Sequence, residues 1–409
     1  VQQHGASRFV GFDTLSTNAT VIGILHNGMF VDTLLKGKRG SLILDETPFY
    51  AEKGGQIGDV GSISAFRVDA TKTPVKGLIL HEGTAEDTLV LSQIVSAKVD
   101  YALRKEIEKH HTATHILHWA LQQVAGPQVR QQGSYVAANR LRFDYNAQKP
   151  LSEEELKLIE RICNEKIREN LTVSTYELPF EEVKKEPKIK QFFQDKYDAI
   201  VRVVQIGDFS YELCGGTHVK NSGDILLLKI VKESSVASGV RRLEAICSNE
   251  ALSLLLQKEA TLEKATELLR CPADKTLESL DALIVQHKKM QKDLEEIKEG
   301  EKRKIFQDLM NEPDGKLIKE VALDLKDLVD LACPLAKQRH HAVFLYNENR
   351  FVLATPPKLD AKKLLGDLKQ SITIKGGGTS DFVQGTFDVP LKGEAQLKHL
   401  RGLLEAVCC

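Results

Sequence analysis

The spacing of apolar residues over the first hundred positions is typical of short β-strands. Segments rich in Val, Ile, Leu and Phe alternate with turn signals such as Asn27-Gly28 and Gly54-Gly55. Turns repeated every 8–12 residues or so predict a small β-barrel or sandwich over residues 1–100. The predicted strands include Arg8–Asp13, Ala19–Leu25, Met29–Leu35 and Ser41–Leu44.

At Tyr101 the apolar period changes to that of a helix. We predict a helix over Tyr101–Val124, ended by Ala125-Gly126-Pro127. A capping box at Ser152-Glu153-Glu154-Glu155 predicts a second helix over Glu153–Glu169. Residues 101–248 are therefore expected to form an α+β domain. Its predicted strands are Ser134–Tyr145, Thr172–Leu178, Ala199–Ile206, Asp224–Val231 and Arg241–Cys247.

Residues 249–311 consist mainly of helix formers and charged residues, and Pro272 divides them into two helices. In the second helix one set of side chains repeats every three or four positions, which indicates an antiparallel helical hairpin or a short coiled coil. A simple spacer with solvated charges and an arm that grips RNA both remain open. The repeating residues are Leu280, Leu283, His287, Met290, Leu294 and Ile297.

The last part of the chain, residues 312–409, is predicted to be a small α/β domain. Ala342–Tyr346 and Phe351–Thr355 look like a hairpin, and Asp360–Gln370 and Glu394–Ala406 like helices. Between the two helices, the glycine-rich segment Lys375–Ser380 reads as a loop. It is either a simple turn or a backbone that approaches a phosphate closely. The whole pattern predicts an α+β multidomain protein.

Composition agrees with a globular chain of several domains. The 409 residues are 42% hydrophobic and 28% charged. No apolar run approaches the ~18 residues of a membrane span, so no membrane partner is expected. The chain lacks an initiator Met, so we expect a processed chain or a piece of a longer protein. Seven scattered cysteines without a Cys-x-x-Cys pair indicate a reducing compartment, the cytoplasm.

The charge balance leans slightly against a nucleic-acid partner. A protein that grips nucleic acid over its whole surface is usually basic, whereas the net charge here is −1. If a nucleic acid binds, local patches such as Arg241-Arg242 or the region of Lys184-Lys185 must hold it.

Two motifs about a hundred residues apart carry the candidate chemistry. His111 and His115 are four positions apart on the first predicted helix, so their rings share one face. Later, Cys214-Gly215-Gly216-Thr217-His218 offers a thiolate and a third imidazole on a flexible turn. Three imidazoles and a thiolate suit tetrahedral Zn²⁺ and disfavour Mg²⁺ and Ca²⁺. The alternative, that these are buried histidines and a small apolar cysteine, explains the paired spacing less well.

Neighbouring residues restrict which side chains can be ligands and which class of protein the site can belong to. His110 lies off the shared face and is excluded as a ligand, while His118 extends the face by one turn as an outer neighbour of the site or a packing residue. A zinc protease helix needs Glu directly after the first His. Thr112 stands there instead, which excludes that class of protein.

These two motifs resemble the paired editing motifs of alanyl-tRNA synthetases and their free-standing editing relatives, and threonyl-tRNA synthetases share a related domain. Three further segments carry the same resemblance: Glu46–Gln56, Gln131–Ser134 and Ser238–Glu244. The resemblance spans nearly the whole chain. Two departures are Lys53, where the family has a small Ser, and Gly376–Phe382, where the family has a longer glycine run followed by Arg-Pro-Asp-Met.

The resemblance implies a barrel (1–100), a zinc-containing editing domain (101–248), a helical hairpin (249–311) and a C-terminal tRNA-binding or oligomerisation domain (312–409). It implies one Zn²⁺ per chain and hydrolysis of tRNA(Ala) mischarged with Ser or Gly. Aminoacylation with ATP and Mg²⁺ would belong to a full-length parent. A homo-oligomer could form through the hairpin or the C-terminal domain. An alternative function is a non-catalytic, zinc-stabilised tRNA-binding module.

The resemblance also implies roles for individual residues. Thr47 and Gln131 become candidates to sense the serine hydroxyl; otherwise they are a strand end and a solvated polar residue. Lys53, Arg241 and Arg242 become candidates for tRNA contact, against the alternative of solvated or locally paired charges. The expected metal ligands are His111, His115, Cys214 and His218.

Overall fold

The computed structural model describes residues 6–190, 198–313 and 315–388, together with residues 398, 401 and 402. The chain divides into two compact units, Val1–Lys264 and Ala265–Cys409. The finer division into four domains stays a prediction. Across the described residues, every helix is too short or too polar to cross a membrane.

Six strands of the first unit close into a barrel. They follow the order β11-β7-β8-β9-β5-β2, with β3 added at β2, and β11 pairs back with β2 to complete the ring. Closure decides between the barrel and the sandwich that the sequence left open. The strands are β1 (Arg8–Phe9), β2 (Ser16–His26), β3 (Met29–Phe30), β4 (Thr33–Leu34), β5 (Arg39–Leu44), β6 (Glu46–Thr47), β7 (Gly61–Ile63), β8 (Phe66–Val75), β9 (Leu78–Ala85), β10 (Leu89–Val90) and β11 (Ile94–Val99).

A long buried helix, α1 (Tyr101–Ala125), follows the barrel directly, as the sequence predicted. The Asp100 side chain caps it by accepting a hydrogen bond from the Leu103 amide (3.0 Å), and Gly126 ends it with a positive φ of 103°. From Ile107 to Leu121 nearly every residue of α1 is buried, including several histidines. The polar groups on this helix therefore need partners from the surrounding elements.

Two sheets and a second helix enclose α1. The first sheet has the order β12-β13-β18-β17 and the second β14-β15-β16. The predicted capping box of α2 is confirmed at Ser152 and Glu155. The elements are β12 (Gln131–Val136), β13 (Leu141–Asn146), α2 (Glu153–Arg168), β14 (Val173–Pro179), α3 (Phe180–Val183), β15 (Ile200–Ile206), β16 (Ser210–Leu213), a 3-10 helix (Ser222–Ile225), β17 (Leu228–Ala237) and β18 (Val240–Cys247).

Two predicted strands of this region differ from the structure. Ser134–Tyr145 was expected as one strand, but it is a hairpin of β12 and β13 with a turn between Val136 and Leu141. The alternating pattern runs through both arms, so it does not reveal the reversal. Asp224–Val231 was expected as a strand from its start, but a 3-10 helix occupies Ser222–Ile225 and β17 begins at Leu228.

Helical segments follow the sheets, as expected for residues 249–311. They are α4 (Ser248–Leu269), a 3-10 helix (Ala273–Lys275) and α5 (Thr276–Met310). In α5 the repeating apolar residues are exposed, with Leu283 at 55% and Ile297 at 60% of full exposure. The hairpin or coiled-coil arrangement stays a prediction.

Between residues 315 and 388, the second unit consists of a five-stranded sheet and the helices α6 (Leu325–Arg339) and α7 (Ala361–Ser371). Its order is β19-β20-β21-β23-β22, with β19 parallel to β20 and the other pairs antiparallel. The predicted hairpin (β20 and β21) and the helix after it (α7) are confirmed. The elements are β19 (Leu317–Glu320), α6 (Leu325–Arg339), β20 (Val343–Asn347), β21 (Arg350–Ala354), α7 (Ala361–Ser371), β22 (Ile374–Gly378) and β23 (Phe382–Phe387).

The glycine run is the main correction in this unit. It was expected as a loop, but Gly376, Gly377 and Gly378 belong to the edge strand β22, paired with β23. A side chain at Gly376 would overlap the backbone of Gln384, so close strand contact accounts for that glycine. The predicted helix Glu394–Ala406 lies outside the described residues except for 398, 401 and 402.

Candidate metal centre

The four predicted ligands converge on one point inside the first unit. His111 and His115 come from α1, and Cys214 and His218 come from the turn after β16. One ligand atom of each lies within 4.8 Å of the others, so the group could hold a metal ion. The Cys214 Sγ is 3.3 Å from the Nε2 of His111 and 3.3 Å from the Nε2 of His218. The two helical rings are stacked, with centroids 5.4 Å apart, as four-residue spacing dictates.

In each of the three imidazoles, Nδ1 forms a hydrogen bond with a residue outside the four-residue cluster. The Nδ1 of His111 meets the Gln56 Oε1 at 2.7 Å, and the Nδ1 of His115 meets the Glu212 carboxylate. The Nδ1 of His218 lies 3.1 Å from the Thr112 Oγ1. Since the Thr112 hydroxyl proton goes to the Glu108 carbonyl, this oxygen accepts from His218. All three rings therefore carry a proton on Nδ1 and direct Nε2 inward.

This arrangement fits a metal ion. Among the described residues, the Nε2 of His115 is buried and has no hydrogen-bond partner. Such an orphaned atom is costly in a protein interior, and a metal ion would satisfy it. Metal-binding histidines characteristically donate their second N–H to a carboxylate or carbonyl, as these rings do. The donor set of three imidazoles and one thiolate suits Zn²⁺.

The surroundings of Cys214 lower the pKa of its thiol, which favours the thiolate form that binds metal ions. Burial by itself raises the pKa of the Cys214 thiol, but the imidazoles of His111 and His218 outweigh burial and hold this pKa well below its usual value. Burial also opposes ionisation of Glu212, and His115 and His118 again outweigh it, so its pKa is well below normal. Both directions favour the anionic forms of these side chains, a thiolate that can bind a metal ion and a carboxylate that can accept from the imidazoles.

Glu212 was missed by the sequence analysis. Its carboxylate accepts from the Nδ1 of both His115 and His118, the latter at 2.8 Å. This contact makes His118 an outer neighbour of the site, one of the two roles predicted for it. A signal was present: Glu212 and Cys214 are two residues apart at a strand end, so their side chains share one face. A carboxylate on the same face of the strand as a candidate ligand is a signal for a residue that supports the candidate metal centre.

The turn that carries Cys214 and His218 is held tightly. The Arg202 Nη1 donates to the carbonyls of Cys214 (3.0 Å) and Gly216 (2.8 Å). A Cβ at Gly216 would overlap the His111 ring, whereas a Cβ at Gly215 would meet nothing within 4 Å. The two glycines thus play different roles: Gly216 permits the close approach, and Gly215 only continues the turn.

His110, which the sequence analysis excluded as a ligand, has a structural role. Its Nδ1 donates to the Glu106 carbonyl (2.8 Å), and its Nε2 accepts from the Cys247 amide (3.1 Å). Burial lowers the pKa of His110, which keeps the ring neutral. Both nitrogens are used, so no lone pair remains for a metal.

The candidate serine sensors lie outside the cluster. Thr47 is fully buried in the barrel, and its hydroxyl lies 2.7 Å from the Nε2 of His81. Gln131 is partly buried at the start of β12, and its Nε2 donates to the Ser134 hydroxyl at 2.9 Å. Neither is hydrogen-bonded to a candidate ligand in the described structure, and their roles stay predictions.

Two of the three candidate tRNA-contacting residues pair with a carboxylate. Lys53 is exposed on a turn of the barrel. Arg241 pairs with Glu233 (2.6 Å), and Arg242 pairs with Asp144 through two nitrogens (2.6 and 2.7 Å). A phosphate would therefore compete with a carboxylate at either arginine. Their contact with tRNA stays a prediction.

Comparisons with known proteins show which family has a related sequence. A sequence profile of the threonyl and alanyl tRNA synthetase second additional domain matches residues 201–244, which include Cys214 and His218. A profile of class II (A) tRNA synthetases matches residues 1–103. An alanine–tRNA ligase of Pseudomonas entomophila is 39% identical over 402 residues, 93% of this chain and 46% of that protein. The chain belongs to the alanyl-tRNA synthetase family.

A second relative, the alanine–tRNA ligase of Chlamydia muridarum, is 42% identical over 299 residues, 72% of this chain and 34% of that protein. The chain thus spans between a third and a half of the length of these two alanyl-tRNA synthetases. Among solved structures, the C-Ala domain of the Aquifex aeolicus alanyl-tRNA synthetase matches with a TM-score of 0.19 and 23% identity. It covers 22% of this chain and 88% of that structure.

Proposed function

We propose that this chain edits aminoacyl-tRNA by hydrolysing the ester bond of tRNA(Ala) mischarged with Ser or Gly. The observation that carries the proposal is the convergence of His111 and His115 with Cys214 and His218. The last two residues lie in the segment that matches the second additional domain of threonyl and alanyl tRNA synthetases. Water attacks the ester carbonyl, the bond to the tRNA 3′-terminal ribose oxygen breaks, and the free amino acid leaves. A full-length parent would attach alanine to the same tRNA using ATP and Mg²⁺.

Selectivity explains why such a site is needed. A pocket for alanine rejects glycine by only about 1–3 kcal/mol, the worth of one methyl group, and it rejects an added hydroxyl poorly. For serine, a second site that demands a hydroxyl spares alanine, because alanine leaves a polar group of the site unpaired. Glycine has no hydroxyl, so this contact does not select it. We propose Thr47 and Gln131 as the groups that read this hydroxyl.

The protein residues hold and orient the proposed centre. One Zn²⁺ bound to the four ligands would supply positive charge to position the aminoacyl group or polarise a nearby oxygen. Gln56, Glu212 and Thr112 fix the tautomers of the three imidazoles. Arg202 holds the carbonyls beside Cys214. We also propose that the tRNA contacts Lys53, Arg241 and Arg242. The proposed compartment is the cytoplasm. The chain could oligomerise through its helical segment or its C-terminal domain.

The ligand count favours a second candidate function. Catalytic zinc commonly has three protein ligands and an open position, whereas four protein ligands are typical of structural zinc. The alternative is therefore a zinc-stabilised tRNA-binding module without turnover. The two candidates differ in one measurable respect, the hydrolysis of Ser-tRNA(Ala).

The test compares deacylation of Ser-tRNA(Ala) by the wild-type chain, Cys214→Ala and Cys271→Ala. Cys271 is also half-buried but belongs to the second unit, which makes C271A the matched control. We expect wild type and C271A to exceed the spontaneous rate equally. C214A should lose at least about 100-fold, since even outer-shell changes cost 10–100-fold.

Metal content and circular dichroism of each variant accompany the rates. A folded C214A with the wild-type rate would remove the metal centre from the proposal. Binding of Ser-tRNA(Ala) by the wild-type chain without deacylation would replace the editing hydrolase by the binding module.

A further inference from the structure

Gln56 reaches the metal centre from the barrel. It ends a tight turn in which the amides and carbonyls of Lys53 and Gln56 pair with each other (3.1 and 3.2 Å). The turn lies against β12, where Gln56 forms a parallel bridge with Val136. Although this is a turn at the barrel surface, the Gln56 side chain is fully buried. A buried amide must have its donors and acceptor satisfied, so its partners define its role.

Among the described residues, the hydrogen-bond partners of the Gln56 side chain all lie in the ligand-bearing segments. Its Oε1 accepts from the Nδ1 of His111 (2.7 Å) and from the Thr217 amide (2.9 Å). Its Nε2 donates to the Thr217 hydroxyl (2.9 Å). The barrel thereby contacts the candidate ligand His111 directly. It also contacts Thr217, the residue before the candidate ligand His218, through both its backbone and its side chain.

These contacts also fix the orientation of the amide. The Thr217 backbone N–H can only donate, so the atom it meets must be the amide oxygen. His111 must then donate through Nδ1–H, and its lone pair lies on Nε2, the atom that faces the Cys214 sulfur. The glutamine thus selects the one tautomer of His111 that can bind a metal in the cluster.

We infer that Gln56 is a positioning residue of the metal centre, which makes the barrel part of that centre. The inference rests on the metal site of the proposed function and deepens it. Gln56 acts through His111 and through the 214–218 turn, and it contacts neither the metal nor the substrate. An editing core without this barrel turn would contain all four ligands but hold them less firmly.

The test is the affinity of the full chain for Co²⁺, followed by its thiolate-to-cobalt charge-transfer band and by competition with a chelator. The variants are Gln56→Leu and Gln56→Glu. Leucine removes the acceptor, and we expect its Co²⁺ dissociation constant to rise by about 10–100-fold. Glutamate offers two acceptor oxygens to the His111 Nδ1–H, the Thr217 amide and the Thr217 hydroxyl, each of which can donate. We therefore expect the Co²⁺ affinity of Q56E to stay within a few-fold of that of wild type.

Gln205→Leu is the matched control. Gln205 is a half-buried glutamine of the same unit whose Nε2 donates to the Gly207 carbonyl (2.7 Å), away from the ligands. It should bind Co²⁺ as wild type does. Circular dichroism and the melting temperature without metal check that all variants are folded.

The outcomes separate this inference from the proposed function. No cobalt–thiolate band in the wild-type chain would overturn the metal site and this inference with it. A normal wild-type band with an unchanged affinity in Q56L would overturn the inference alone. Equal weakening in Q56L and Q56E would overturn the acceptor role of Gln56.

Discussion

The hydroxyl of Thr47 has one proton, and a histidine inside the barrel determines where it goes. The Nδ1 of His81 donates to the Leu42 carbonyl (2.9 Å), so its Nε2 is an acceptor. The Thr47 hydroxyl donates to that Nε2 and itself accepts from the Phe49 amide (3.2 Å). If Thr47 reads a substrate hydroxyl, it can therefore do so only as an acceptor. Burial lowers the pKa of His81 to about 4, which keeps the ring neutral.

This lowered pKa predicts a stability change in acid. Between pH 6.5 and pH 4 the unfolded chain protonates His81 while the folded chain does not, so the free energy of unfolding falls as the pH falls. One pKa unit corresponds to about 1.4 kcal/mol, and the whole effect of His81 is about 3 kcal/mol. Urea unfolding at pH 7 and pH 4 should show a smaller acid loss in His81→Gln by about this amount.

His287→Gln is the control, because His287 is exposed on α5. It should lose as much stability in acid as the wild-type chain does. Parallel pH profiles for H81Q and wild type would show that His81 is not held neutral.

At the scale of elements, the metal centre depends on a helix and a turn that approach each other closely. Helix α1 supplies two ligands through its four-residue period, which the sequence predicts directly. The turn after β16 supplies the other two, and its distance from α1 depends on the absence of a side chain at Gly216. The sequence shows two equivalent glycines at 215 and 216, and only the packing distinguishes them.

Replacing each glycine by alanine tests this distinction. In Gly216→Ala the turn must move away from His111, so we expect metal affinity to fall by about tenfold or more. Gly215→Ala should keep its affinity within a few-fold, since its new methyl group meets nothing. Isothermal titration with Zn²⁺ measures both. Equal affinities for the two variants would mean that the turn adapts and that close contact is not required.

At the scale of the first unit, a buried ion pair joins α1 to the barrel. The Arg104 Nε donates to both carboxylate oxygens of Asp59 (2.9 and 3.0 Å), and its terminal nitrogens donate to the carbonyls of Gly11 (2.7 Å) and Pro48 (2.9 Å). Both side chains are almost completely buried. This pair fixes the barrel beside the helix that carries His111, the arrangement that Gln56 requires.

Removing one partner should therefore be costly. Arg104→Met leaves the buried Asp59 carboxylate without its cationic partner and with the Tyr50 amide as a remaining donor (2.6 Å). We expect a loss of about 3–5 kcal/mol in the free energy of unfolding. Arg161→Met is the control: Arg161 is 68% exposed and only 3.9 Å from Glu165, so its loss should stay below about 1 kcal/mol. Urea unfolding measures both variants. Similar losses in the two would show that the buried pair contributes no more than a surface pair.

The sequence by itself determined the features that depend on neighbouring residues. The period of α1 and the capping box of α2 are local patterns, and they predicted these helices nearly at their observed bounds. In the barrel region the bounds were less accurate: Arg8–Asp13 is a strand only over Arg8–Phe9, and Met29–Leu35 is divided into β3 and β4. The four candidate ligands were also proposed from local patterns, because the members of each pair are four positions apart. Local patterns misled where one pattern fits two structures, as in the β12–β13 hairpin and the glycine strand β22.

Only the tertiary structure decided which residues support the ligands. Gln56 and Thr217 are 161 positions apart, and His115 and Glu212 are 97 apart. The first contact depends on the position of the barrel against α1 and the turn after β16, and the second on the packing of β16 against α1. No local period records such a contact, because a hydrogen bond between residues far apart in the sequence constrains the two side chains and leaves the residues between them free to vary. The sequence thus named the atoms that could bind the metal, and the fold determined how firmly they are held.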